Sequence, residues 1–404
     1  MCCIFIFILT GCSTPPISEP PTSTWGEIFT LDYAEQTDAP AIQPDISGLS
    51  ALWIGADETG VHQDLRRWSS AGLSERIVLP LPPVHPYAQQ VALSQSGIHI
   101  LWLDAEGTSA GSETHLFSAL VQPEAADGTL GTILRGPTLI SDSRTFRYAY
   151  APNSDGSLWV VWSGGPLDEP VLYVQSIDNE GRPRPSQRLL SDADWPVLMT
   201  DTDGAQILFW WQPSSNRIYR AWLDEGELFN TQPITTAPNL NPGDRADTFT
   251  AGRDQTNGYL FWNITRLSGQ HETLFASGEL SAPQWSTPTQ LGLQLAEGET
   301  LTTGFNGGEA QAARPGEDWL SWSAPLTNAA AFELLPVAAM IGSNLSVVYM
   351  EGGEIVGYQA VVPVTLLLGT PALTTDRDQH LYLAWSEPQD NGTSALRLTT
   401  THSS

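Results

Sequence analysis

The sequence predicts an all-β fold: one β-propeller of four-stranded blades, seven blades in preference to eight, its ring closed by an N-terminal strand. Three observations carry that prediction. Seven short apolar runs close on tryptophan, at Trp53, Trp102, Trp162, Trp211, Trp262, Trp322 and Trp385, spaced 49 to 63 residues apart. That interval suits a four-stranded unit and exceeds the helical and leucine-rich repeats. Runs such as LWVVW and ILFWW are apolar at every position, as expected of strands covered on both faces by stacked sheets. The chain also stops after what reads as a third strand, LRLTTTHSS, while WGEIFTL (25–31) near the other end is strand-like and unclaimed. An uncovered edge invites aggregation, so this N-terminal segment is expected to supply the missing fourth strand.

The unit from Tyr148 to Leu190 shows the grammar of one blade most plainly. YAYAP reads as a first strand, NSDG (153–156) as a turn, SLWVVW as a second strand, LYVQSI (172–177) as a third and SQRLL as a fourth. Asp155 and Gly156 are a pair suited to a type I′ hairpin, which requires positive φ at both central residues. The next unit repeats the pattern with VLMT, DTDG (201–204), AQILFWW and IYRAWL (218–223). Further third strands are expected at LFSALV (116–121), LFASGEL (274–280) and LRLTTT (396–401). The motif tryptophans are expected to fill the spaces between blades, leaving Trp68, Trp195, Trp222 and Trp285 for other work. The segment 335–362, with Tyr349 at a tryptophan-like position, is the alternative eighth unit; it would break the even spacing, and a 27-residue step is tight for four strands of usual length.

Residues 1–12 read MCCIFIFILTGC, an apolar stretch long enough for an export signal and too short to span a bilayer. Leu9, Thr10, Gly11 and Cys12 resemble the lipobox of bacterial lipoproteins. The resemblance implies a signal peptide at 1–11, lipidation of Cys12, a Pro/Ser/Thr tether over 12–24, and a propeller domain over 25–404 on the extracytoplasmic face of a bacterial membrane in the cell envelope. All three cysteines precede the body, which can fold in an oxidising compartment without a disulfide. The net charge is −28, from 45 acidic and 17 basic residues, so nucleic acid is an unsuitable partner. Every basic residue is arginine, which removes Schiff-base chemistry and the phosphate-loop lysine. The expected state is a monomer without cofactor, bound to the membrane by lipid.

No H-x-x-x-H zinc pattern, G-x-S-x-G elbow, phosphate loop or dinucleotide fingerprint occurs. The acidic segments at Asp201–Gly204, Ser154–Gly156 and Asp376–Gln379 offer at most two carboxylates each, sit where hairpins are required and read as turns rather than calcium loops, so no metal site is expected. Ser154, Gly156 and Trp159 distantly resemble the Asp-box of sialidase-like propellers, Ser-x-Asp-x-Gly-x-Thr-Trp, though with different spacing and on a different inter-strand turn. That resemblance implies an arginine cluster for a substrate carboxylate, a tyrosine with an acidic partner, and a separate acid; Arg144, Arg147, Tyr148, Arg245 and Asp247 lie at or before first-strand starts, which line one mouth of a propeller channel. No catalytic residue is assigned. The ligand-binding candidates are His85, Tyr87, Arg144, Arg147, Asp194, Trp195, Arg245 and Asp247. The leading reading is a non-enzymatic module binding a protein, peptide or glycan at that mouth, and the alternative is a sialidase-like glycan-processing hydrolase.

Overall fold

The computed structural model describes residues 24–401 except 35–38, 46–47, 59, 82–84, 106–112, 125–129, 167–168, 202, 269–270, 291, 296–298, 303–318, 321–333, 342–343, 365–366 and 377. Seven antiparallel sheets follow one another as the blades of a propeller. Helix is confined, among the described residues, to one 3-10 turn at Pro213–Ser215.

Blade 3 is the simplest. Its strands Thr145–Pro152, Leu158–Gly164, Val171–Ile177 and Gln187–Ser191 pair in sequence order from the channel outward. Blade 2 (Pro86–Ser94 to Leu130–Leu139), blade 4 (Asp194–Thr200 to Glu227–Thr236) and blade 5 (Arg245–Arg253 to Thr289–Gln290) repeat it. In blade 1, Ala41–Asp45, Gly48–Asp57 and Gly60–Ser69 are edged by two short strands, Gly72–Leu73 and Ile77–Leu79. Each expected third strand lies where the sequence places it.

Ring closure follows expectation. Blade 7 takes Leu368–Thr375, Leu381–Pro388 and Ser394–Thr400 from the C-terminal end, and its fourth strand is Phe29–Ala34. Leu31, fully buried, packs with Leu49 and Trp53 of blade 1 and with Leu396 and Leu398 of blade 7.

The inter-blade cores explain the apolar second strands, whose alternate residues face opposite neighbours. Trp162 packs against Leu101, Leu103 and Leu116 of blade 2, while Val161 on its other face packs against Leu198 and Leu208 of blade 4. Trp53, Trp102, Trp162, Trp262 and Trp385 are each at most 3% exposed. In blade 4 the equivalent residue is Trp210, not Trp211: Trp210 joins the core with blade 3, and Trp211 turns half-exposed toward blade 5. Stacking repeats with position, Trp102 on Phe117, Trp162 on Tyr173 and Trp210 on Tyr219, at centroid separations of 5.7, 5.6 and 5.5 Å.

Blade 6 corrects the reading of the repeats. Its first three strands are Leu335–Ile341, Asn344–Glu351 and Glu354–Pro363, so Tyr349 sits on the second strand of the sixth blade and not in an eighth. Trp322 lies outside the described residues, and Trp319–Leu320 pairs with the first strand of this blade. Tyr349 also faces the other way from the tryptophans, toward Trp385 of blade 7, while Val348 and Met350 meet Tyr259 and Phe261 of blade 5. Two tryptophans expected to be free are core: Trp68 is 3% exposed beside Phe29 and Tyr382, and Trp285 is 4% exposed against Phe209.

The hairpins joining first to second strands use the acidic residues as caps. At 153–157 the Asn153 N–H bonds the Ser157 carbonyl at 2.7 Å, and the Asp155 carboxylate accepts the Ser157 N–H at 2.9 Å. Of Asp155 and Gly156 only Gly156 has positive φ, +81°, so this is a three-residue loop, 154–156, ending in one left-handed position, and not a type I′ turn. Asp201 and Asp376 stand where Asn153 does, and their carboxylates accept the N–H groups of Ala205 and His380 across the loop.

A candidate binding cleft at the channel mouth

The chain enters each first strand at one mouth of the ring, and four consecutive blades carry an irregularity there. Pairing slips between Tyr87 and Gln90 in blade 2, Thr145 and Arg147 in blade 3, Asp194 and Val197 in blade 4, and Ala246 and Thr248 in blade 5. A bulge places two residues opposite one, bends the strand and re-aims its side chains. Two bulges hold a non-glycine residue in the left-handed region, Ala88 at φ 48° and Trp195 at φ 56°.

Between the entries of blades 2, 3 and 4 lies a cleft of about 240 Å³ lined by Tyr87, Thr114, Arg144, Thr145, Phe146, Arg147 and Asp194. The first strand of blade 3 ties its neighbours together, because adjacent side chains point opposite ways. Arg147 reaches blade 4, its Nη1 3.1 Å from Asp194 Oδ2 and its guanidinium 4.0 Å above the Trp195 ring. Tyr148 reaches blade 2, its hydroxyl donating to the carbonyls of Ala88 at 2.5 Å and Leu101 at 3.2 Å.

The charges of the cleft are unequal in their commitments. Desolvation by burial lowers the pKa of Arg147, and the neighbouring Asp194 carboxylate works against that shift. Asp194 is buried, and its Oδ1 accepts the Trp195 N–H at 2.7 Å. Arg144 is exposed, its guanidinium 5.3 Å from the Phe146 ring, and among the described residues no carboxylate pairs with it. The Tyr87 hydroxyl donates to Thr114 Oγ1 at 3.1 Å. Burial pushes the Tyr148 hydroxyl well above the ordinary phenol range.

Four of the eight sequence candidates, Tyr87, Arg144, Arg147 and Asp194, therefore line one cleft, and Trp195 joins them through Arg147. His85 is exposed beside it, its backbone N–H anchored on Asp104 Oδ1 at 2.7 Å, and it is not among the lining residues. Arg245 begins the first strand of blade 5 away from the lining set. Asp247 lies within the bulge of that strand, and its side chain is outside the described residues. Thr114, Thr145 and Phe146 are lining residues that the sequence reading missed. Phe146 stands between the two arginines, and its place in a bulge, invisible to a period-two pattern, is what turns it to the mouth. Among the described residues no group of three or more His, Cys, Asp or Glu is placed to hold a metal ion.

No protein-family model matches the chain, and no curated protein sequence matches it. Solved structures do. The polysaccharide lyase Uly1 aligns over 95% of this chain and 93% of its own, with a TM-score of 0.57 at 13% identity. An ulvan lyase bound to -[GlcA(1-4)Rha3S]- aligns over 93% and 94%, with a TM-score of 0.50 at 10% identity. A mutant Trypanosoma rangeli sialidase aligns over 91% of this chain and 54% of its own, at a TM-score of 0.44 and 11% identity. The chain is a seven-bladed β-propeller, and at these identities the likeness to the two lyases is one of fold.

Proposed function

We propose that this propeller recognises a glycan bearing a carboxylate or sulfate, and that it does so as a lipoprotein held at the outer face of a bacterial membrane through Cys12. The observation that carries the reading is Arg144: a guanidinium without a carboxylate partner among the described residues, facing an open cleft, in a chain with 45 acidic side chains. Planar guanidinium suits bidentate pairing with an oxyanion. Tyr87 and Phe146 add the flat, partly apolar surface on which sugar rings pack. Of the ligand classes open from the sequence, a glycan fits the small polar cleft better than a protein surface, which needs a larger interface. The fold is shared with polysaccharide lyases over most of their chains, one of them bound to -[GlcA(1-4)Rha3S]-.

Binding without turnover is the first form of this reading, and what supports it against a sialidase-like one is the make-up of the cleft. A sialidase-like site needs a third arginine and a tyrosine with an acidic partner; Arg245 is not in the lining, Tyr87 donates to a threonine, and Asp194 is engaged by Arg147 and the Trp195 N–H. The lyase structures motivate a second reading, cleavage of an acidic polysaccharide, in which the arginines would hold the uronate carboxylate. The test is a glycan array followed by calorimetry on the body from Thr24. Uronate or sulfated oligosaccharides are expected to bind, with affinity falling about tenfold or more in Arg144→Gln, since a charge-assisted pair is lost. Acidic-glycan binding indifferent to Arg144→Gln and Tyr87→Ala would displace the site, and sustained release of unsaturated product from an acidic polysaccharide would establish the second reading.

A further inference from the structure

We infer that Trp195 is a positioning residue, whose strained backbone holds its indole as a clamp on the Arg147 guanidinium and fixes the direction in which Arg147 meets a ligand. The inference rests on the cleft being the binding site. Its first support is the backbone. A bulky residue at φ 56° is an outlier, because in this region Cβ crowds the following carbonyl. Such strain persists where the surroundings over-determine it, and it concentrates at sites of function.

The second support is what the strain secures. The bulge between Asp194 and Val197 turns the indole over Arg147, with 4.0 Å from the guanidinium carbon to the ring centroid. One oxygen of Asp194 holds an Arg147 nitrogen at 3.1 Å, and the other accepts the N–H of Trp195 itself at 2.7 Å. Ring, carboxylate and guanidinium thus form a closed unit of three residues. Arginine normally pays in rotamer entropy when it grips a ligand, and a clamp moves that cost into folding. The ring is not core filler: Trp195 stays half-buried and meets Phe249 only at a tilted 6.3 Å, whereas Trp68 and Trp285, remote from the mouth, are sealed in.

Glycine at 195 accepts this backbone without strain but has no ring, so Trp195→Gly separates the two roles. With arginines labelled in ¹⁵N, the Arg147 Nε–H is expected to exchange with solvent about tenfold faster in Trp195→Gly than in the wild type, the loss of one cation–π contact. The unfolding midpoint is expected to hold or rise, and Trp195→Phe to restore most of the protection. Affinity for a tetrameric oligogalacturonate is expected to fall about tenfold in parallel. An unchanged Arg147 signal overturns the inference, whether or not that probe binds, and so does a lowered midpoint in both variants, which marks a structural role. If Arg144→Gln loses affinity and Trp195→Gly keeps it, this inference fails alone; if both keep it, the cleft is not the site.

Discussion

His99 shows how far one buried side chain can tie stability to pH. It is fully buried on the second strand of blade 2, with Nε2 3.2 Å from the Gly156 carbonyl of the neighbouring hairpin, and desolvation lowers its pKa from 6.5 to about 4. Between those values the unfolded chain binds a proton that the native state refuses. Stability is therefore expected to fall as pH drops from 6.5 to 4, at about 1.4 kcal/mol per unit and roughly 3 kcal/mol in all, and then to level off for this group. Urea unfolding across that window, compared with His99→Gln, checks it: the variant should lose one proton's worth of slope, and an identical slope would remove His99 as the cause. Nothing in the sequence marks this histidine, since the lone residue in HILW carries no spacing signal. The mouth residues were legible for a different reason. Their position at or just before the starts of first strands follows from repeat phase, but the engagement of Arg147 with Asp194 of the next blade depends on packing between blades.

At the scale of strands and hairpins, phase was readable and face was not. Strand order, third-strand positions and the closing segment follow from runs of apolar residues between turn signals. Which residue of ILFWW enters the core depends on one step of register, because a one-residue slip exchanges the two faces of a strand. Trp210 took that place, and no composition rule separates it from Trp211. Blade 6 escaped for a similar reason: its second strand carries Val348, Tyr349 and Met350 in place of tryptophan, and WLSW drew the repeat to a segment upstream. The closing strand bears a direct prediction. Leu31 is fully buried between the blades that join the two ends of the chain, so Leu31→Ala should cost about 2–5 kcal/mol. If the strand detaches, Ser394–Thr400 becomes an open edge, and the variant should gain a concentration-dependent association visible by light scattering before global unfolding. A loss below about 0.5 kcal/mol, the range of an ordinary surface change, would mean that the strand contributes little to closure.

The ring also sets where its two ends of function lie. Blade 7 enters its first strand at the cleft mouth and its third strand, Ser394–Thr400, runs away from it; Phe29–Ala34 is antiparallel to that third strand, with Phe29 opposite Leu398 and Ala34 opposite Ser394. Gly26, whose N–H bonds the Thr400 carbonyl at 2.8 Å, therefore lies at the face opposite the cleft. A tether leaving from there, at about 3 Å per residue for a Pro-rich segment, would turn the cleft outward from whatever surface holds the N-terminus. Leu267, 76% exposed in the loop after the second strand of blade 5, lies on the cleft side, and the body after Cys12 has no cysteine to compete with a label placed there. Immobilised by an N-terminal biotin, the body should bind a high-molecular-weight acidic polysaccharide to its full solution stoichiometry. Immobilised through biotin on Leu267→Cys it should lose most of that capacity while still binding a short oligosaccharide, because only the long chain collides with the support. Equal capacity for the polymer in both orientations would show that the ligand does not enter from the mouth of blades 2 to 4, and the assignment of the cleft would have to move to the opposite face.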